Sequence, residues 1–236
     1  MIRALLVDDE RNAREELATL LEATGEFELL ASCPNALEAL RSIRKFHPQV
    51  LFLDIDMPVI DGFTLLSMID SELMPHVVFV TAHDDYALQS FEEKTLDYLL
   101  KPVAPERLAK TVTKLKELLE KNTVPRHQPP ELQRIPCLKG HRIKLVATED
   151  IDHVHSSASG IHLHTDNGSF FTELTLKVLS RSPLLLQCHK QYLVNLEKID
   201  EISLLEGGFG EILTRAGARI PISRRYLRQL KQVLGL

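Results

Sequence analysis

The sequence predicts a doubly wound α/β domain of five β-α units followed by a smaller, mostly β domain, and three observations carry that prediction. In the first half, short apolar runs alternate with segments of helical periodicity. From Lys121 to Pro130 the apolar period disappears and prolines and polar residues take over, the mark of a fairly stiff linker. Beyond it the apolar runs shorten, alternate with polar residues and are separated by turn-forming residues. A chain of 236 residues exceeds the usual single-domain size, so two cores are expected.

The elements of the first half follow in order. Ile2 to Val7 is an apolar strand that ends at Asp8-Asp9-Glu10, and Glu10 to Ala23 has helical spacing through Ala13, Leu17, Leu20 and Leu21. Phe27 to Cys33 is a second strand, and Asn35 to Phe46 is a helix that His47-Pro48 ends. Val50 to Leu53 is a continuous apolar run, as in a strand covered on both faces, and it delivers Asp54 to its end before Pro58 breaks the segment. Asp61-Gly62 opens a helix to about Asp70. Val77 to Val80 is a fourth strand ending at Thr81, and Asp84 to Glu93 is helical. Asp97 to Leu100 is the fifth strand, ending at Lys101-Pro102, and Pro105 to Leu119 is a helix with Leu108, Val112, Leu115 and Leu119 on one face.

Right-handed crossovers arrange such a series as a parallel sheet, whose ligands bind at the carboxyl ends of the strands. That rim would collect Asp8, Asp9, Asp54, Thr81 and Lys101. Carboxylates roughly 5 Å apart repel by about 3 kcal/mol per pair at an effective dielectric of about 20, so three of them together require a cation. A hard divalent ion with oxygen ligands, magnesium above all, answers the repulsion and leaves room for a phosphoryl group. Lys101 and the Thr81 hydroxyl are suited to two of that group's oxygens.

The order Asp-Asp, Asp, Thr, Lys-Pro on strands one, one, three, four and five resembles the receiver domain of two-component response regulators over residues 1–121. The resemblance implies that Asp54 is the phospho-acceptor and that Asp8 and Asp9 hold magnesium with it, the Asp56 backbone carbonyl completing the protein's ligands. It further implies that Thr81 and Tyr98 are switch residues and that Lys101 pairs with the phosphate. A sensor histidine kinase would be the donor.

After the linker, taken as residues 122–133, strands are expected at Arg134 to Leu138, Arg142 to Val146, Ile151 to His155, Gly160 to Thr165 and Ser169 to Thr172, with Asn167-Gly168 as a hairpin signal. A short helix fits Leu174 to Arg181. Further strands fit Leu184 to Cys188, Ile199 to Leu205, Gly210 to Thr214 and Ala218 to Ile222. Ser223 to Leu236 reads as a capped helix with Leu227, Leu230 and Leu234 inward. His153 with His155, and His162 with His164, share strand faces, but no Cys or Glu stands at a spacing that would support a metal site. With no P-loop, no Gly-x-Ser-x-Gly and no catalytic carboxylate pair, the domain reads as a binding module and the chain as something other than an enzyme.

Two clusters, Cys188 to Asn195 and Pro221 to Leu227, resemble the motifs of the LytTR DNA-binding domain over residues 134–236. The resemblance implies that loops meet double-stranded promoter DNA through His189 and Lys190, through Arg224 and Arg225, and through Ser157 to Ser159. Physically, Lys190 and the two arginines can pair with phosphates or, for Arg, with guanine edges. The alternative reading is a signalling adaptor whose β domain binds a protein.

Charge fits a division of labour. Residues 1–121 hold 13 Lys+Arg against 22 Asp+Glu, and residues 122–236 hold 15 against 11, within a net charge of -5. A polyanion is a plausible partner only for the second half. Three cysteines without a Cys-x-x-Cys spacing argue against disulfides and zinc. The sequence has neither a leader pattern nor an apolar run near 18 residues, so a cytoplasmic protein with no membrane insertion is expected. A homodimer is expected when it is phosphorylated or bound to DNA.

Overall fold

Val50 to Leu53 forms a strand because its four apolar side chains are buried on both faces of a sheet. The computed structural model describes residues 1–82, 96–121, 131–140 and 142–235, and it divides into two compact units, Met1–Pro130 and Glu131–Leu236. The first unit is built on β1 (Ile2–Val7), β2 (Phe27–Cys33), β3 (Val50–Leu53), β4 (His76–Thr81) and β5 (Asp97–Leu100), all parallel, in the spatial order β2-β1-β3-β4-β5. The order turns back on itself between β1 and β3, and the crevice of such sheets opens at that point, off the strand ends Val7 and Leu53.

Helix α1 (Arg11–Ala23) and helix α4 (Pro105–Glu120) press Leu17, Leu21, Leu108, Val112 and Leu115 against Ile2, Ala4, Leu6 and Phe52 in one cluster. Alternation along the strands turns Leu5, Leu51 and Leu53, all fully buried, toward the opposite face. Helix α2 (Ala36–Phe46) starts at Asn35, whose side chain accepts from the Glu38 backbone N–H at 2.9 Å, and stops at His47 in the left-handed region just before Pro48. Helix α3 (Gly62–Met68) is capped by Asp61, which accepts from the Thr64 N–H at 2.7 Å. The helix expected at Asp84 to Glu93 and residues 122–130 of the linker lie outside the described residues.

The second unit is antiparallel. Strands β6 (Arg134–Lys139), β7 (Arg142–Ala147), β8 (Ile151–Ser157), β9 (Gly160–Thr165), β10 (Gly168–Thr172), β11 (Leu185–His189) and β12 (Tyr192–Asn195) form one sheet in the order β11-β12-β8-β9-β10-β6-β7. Strands β13 (Ile199–Leu205), β14 (Phe209–Thr214) and β15 (Arg219–Ile222) form another. The short helix α5 (Leu176–Leu179) and the terminal α6 (Arg224–Leu234) complete it. The expected β9–β10 hairpin forms around Asp166-Asn167, with Gly168 already paired to Thr165 at φ 113°.

Two expectations need correction. Tyr192 to Asn195 is a full strand between β11 and β8, where the sequence pattern marks only part of a motif. Leu234 does not face inward. It is 37% exposed while Leu230 is fully buried, because α6 meets the core cluster along its first two turns and runs past it.

Candidate phospho-acceptor site and nucleic-acid interface

At the rim of the first sheet, Asp8 follows β1 and Asp54 follows β3, whose last residues pair directly across the two strands. The Asp54 backbone N–H donates to the Val7 carbonyl at 2.8 Å, which locks the two strand ends together. Asp8 is only 3% exposed and Asp54 5%, and one carboxylate oxygen from each of Asp8, Asp9 and Asp54 lies within 4.8 Å of the others. Lys101, just past β5, reaches across to both buried acids, with Nζ 2.7 Å from Asp8 Oδ2 and 2.8 Å from Asp54 Oδ2. Its placement depends on the Lys101 N–H donating to the Thr81 carbonyl at 2.9 Å, which joins the ends of β4 and β5.

Three carboxylates, of which Asp8 and Asp54 are buried and Asp9 is exposed, stand against one ammonium and leave two negative charges at the rim. Burial therefore pushes the Asp54 carboxyl above its ordinary value despite the pull of Lys101. Burial alone would lower the Lys101 ammonium, but its hydrogen bonds to Asp54 and Asp8 outweigh that, and its pKa is raised. A hard divalent cation fits this donor set, which is all oxygen and two charges short of neutral. Thr81 is fully buried, and Tyr98 is half-buried on β5 directly beside Phe79 of β4. Asp56 lies next to the site, its N–H aimed at Asp54 Oδ1 at 3.4 Å.

One residue here was named in the sequence only as a helix start. Gly62 packs so closely behind the acceptor that a Cβ would stand 2.6 Å from the Asp54 carbonyl oxygen, and its N–H donates to the Ile55 carbonyl at 2.8 Å. Asp-Gly at a helix start is a common cap, and only the close approach of the β3 exit gives the glycine its further use.

In the second unit the three sequence-nominated loops meet at one end. The Ser156 N–H donates to the Gln191 carbonyl at 2.8 Å, joining the β8–β9 turn to the β11–β12 turn. The Ser223 N–H donates to the Cys188 carbonyl at 3.1 Å, which brings Arg224 and Arg225 beside His189 and Lys190. His189 Nδ1 accepts from the Gln191 N–H at 3.3 Å, and burial together with Lys190 lowers its pKa. With Nδ1 accepting, the neutral ring carries its proton on Nε2. Ser157 and Ser159 bond each other at 2.8 Å, and Ser159 reaches His162 Nε2 at 3.1 Å. Gly160 has φ 113°, and a Cβ there would lie 2.4 Å from the Phe171 ring, so the turn has no room for a larger residue.

The four strand histidines share the β8–β9 face without forming a ligand set. His153 stacks on His164 at 4.2 Å, and His155 stacks on Tyr192 at 4.3 Å. Among the described residues, the only group of metal-ligating atoms that converges is Asp8, Asp9 and Asp54.

Comparison with known proteins follows the same division. The model of the response regulator receiver domain matches residues 4–113, and that of the LytTr DNA-binding domain matches residues 141–235. The chain belongs to the LytTR response regulators. Among curated relatives of this family, an uncharacterized response regulatory protein of Vibrio cholerae is 50% identical over 100% of this chain and 99% of its own length. A Yersinia pestis response regulatory protein is 46% identical with both chains covered in full. The transcriptional regulatory protein BtsR of Escherichia coli is 45% identical, again with both covered in full. This LytTR response regulator thus matches such relatives end to end, with an α/β receiver unit and a β-rich DNA-binding unit.

Proposed function

We propose that this chain is a cytoplasmic transcription regulator switched by phosphoryl transfer from a sensor histidine kinase to Asp54. The observation that carries the reading is the Lys101 ammonium held between Asp8 and Asp54 at the convergence of three carboxylates. In the transfer, a carboxylate oxygen of Asp54 bonds to phosphorus as the P–N bond of the donor phosphohistidine breaks, and the departing imidazole takes up a proton. Asp8, Asp9, Asp54 and the Asp56 carbonyl would hold magnesium, which when bound neutralises charge on the phosphoryl oxygens. Lys101 is positioned to move from a carboxylate oxygen to a phosphoryl oxygen, and the buried Thr81 hydroxyl lies on the neighbouring strand end.

A phosphoryl group adds negative charge and acceptor oxygens that draw Thr81 toward Asp54, and Tyr98 on β5 is the large side chain placed to follow. The receiver, taken as residues 1–121, then dimerises, and the linker 122–133 couples that event to the DNA-binding domain, residues 134–236. Two DNA-binding domains in one complex gain affinity through effective concentration alone. His189, Lys190, Arg224 and Arg225, with Ser157 and Ser159 in support, meet promoter DNA as phosphate and base-edge contacts. The LytTr match favours this over an adaptor that binds protein.

Labelling by acetyl phosphate tests the site. Asp54→Asn should take up no label, because an amide lacks the anionic nucleophile. Asp9→Ala should take up less, with excess magnesium restoring part of it. Full labelling of Asp54→Asn would refute the assignment.

A further inference from the structure

Helix α6 is electrostatically built against its own stability. Its eleven residues include Arg224, Arg225, Arg228 and Lys231 and no acid, and two of these cations occupy the first turn, where the helix dipole disfavours positive charge. Helix α4, by contrast, has Glu106 in its first turn. Arg224, Arg228 and Lys231 recur at intervals of four and three, so they share one face, and with Leu227 and Gln232 they line a shallow groove. Among the described residues none of these three cations is paired with a carboxylate.

Arg224 is nonetheless held in place. Its guanidinium lies over the Phe209 ring at 4.6 Å, at the tip of the β13–β14 hairpin. The tip turns through Gly207 and Gly208, both at positive φ, and a Cβ at Gly207 would come within 3.5 Å of Arg224 Nη2. Phe209 is itself half-exposed and paired across the hairpin with the exposed Leu205. An exposed aromatic ring that fixes a cation and leaves its N–H groups to solvent prepares that cation for an external anion.

We propose that this face of α6 is a phosphate track. Arg224 is fixed by Phe209 at the end beside the contact loops, and Arg228 and Lys231 continue along the backbone of the bound duplex. The proposal rests on the DNA-binding reading of the second unit and adds Arg228, Lys231 and Phe209, none of which the sequence motifs singled out. It accounts for the unfavourable charge at the helix start, because the partner's phosphates supply the counter-charge that the helix itself lacks.

The test uses the full chain and a labelled duplex of mixed sequence, since phosphate contacts do not depend on sequence. Fluorescence anisotropy gives the slope of log affinity against log salt. Arg228→Gln and Lys231→Gln should each make that slope shallower by about 0.9, and the double variant by about twice that. Phe209→Ala should weaken binding several-fold and Phe209→Trp should restore it, because a larger ring keeps the stack. Wild-type slopes retained by both Gln variants would overturn the track while leaving DNA binding by the loops intact. Failure of the wild-type chain to bind any duplex would overturn the DNA-binding reading, and the track with it. Binding to phosphatidylglycerol vesicles that is lost in Arg228→Gln, with duplex slopes unchanged, would overturn the track in favour of a membrane surface. Circular dichroism of each variant excludes unfolding, since the substituted cations are at the protein surface.

Discussion

The rim of the parallel sheet and the loop end of the β domain both collect charge, but they treat it in opposite ways. In the receiver unit two buried acids share one lysine and an exposed third, Asp9, crowds beside them, so the site is short of positive charge and asks for a cation. In the LytTR unit the three arginines and the one lysine of α6 are at the surface and, among the described residues, have no carboxylate partner, so that end asks for anions. The difference teaches where substitutions should register. A buried charge is part of the fold's energetics, whereas an exposed charge belongs to the encounter with a partner.

The sharpest way to break that contrast is to remove one cation from each region. Lys101→Ala leaves the buried Asp8 and Asp54 carboxylates without their counter-ion and should cost about 3 kcal/mol of receiver stability without magnesium, with magnesium restoring much of the loss. Arg224→Ala should change stability by no more than about 0.5 kcal/mol. Urea unfolding followed by hydrogen exchange, read separately for each unit of the full chain, measures both. Equal losses would erase the distinction.

A smaller effect should come from Asp97 at the start of β5. Burial opposes its charge, but Arg107 at 2.5 and 2.7 Å, Thr111 at 2.7 Å and Lys114 at 3.1 Å outweigh it and hold its carboxyl far below the usual range. Arg107→Ala should cost about 2 kcal/mol, confined to the receiver unit, in the same exchange measurement.

The smallest effect is a difference in acid sensitivity. His164 is pulled down to about 4 by burial and then by His153, His155 and His162, and His155 is lowered by burial and then by His153, His162 and His189. A histidine that resists protonation when folded binds its proton more readily unfolded. Its stabilisation is therefore complete above the unfolded value near 6.5 and is lost as pH falls toward 4. With half-exposed rings the loss is about 1 kcal/mol. Asp97 has a depressed folded pKa, so its contribution survives until the pH falls below its ordinary 3.8. Exchange protection measured from pH 7 to pH 4 should therefore weaken in the β domain first, and simultaneous weakening of both units would count against this assignment.

Sequence alone marked the described strands except β12, the α/β and β classes of the two units and the set of strand-end residues that gather at the rim. Apolar runs and helical spacing report burial locally, and each acid or base at a strand end is tied to the rim by the length of its own strand. The motif clusters likewise marked the loops of the second unit. Only the tertiary structure decided which groups meet. The reach of Lys101 to both Asp8 and Asp54 depends on the register of β1, β3, β4 and β5, which no local pattern encodes. The joining of three loops by the Ser156 and Ser223 hydrogen bonds and the stacking of Arg224 on Phe209 arise between separate elements, and the close packing of Gly62 behind Asp54 depends on how the chain folds back after β3. Leu234 makes the same point in reverse. Its helical spacing marks the face it occupies, but its burial depends on the reach of the core cluster, which takes in Leu227 and Leu230 and leaves Leu234 out.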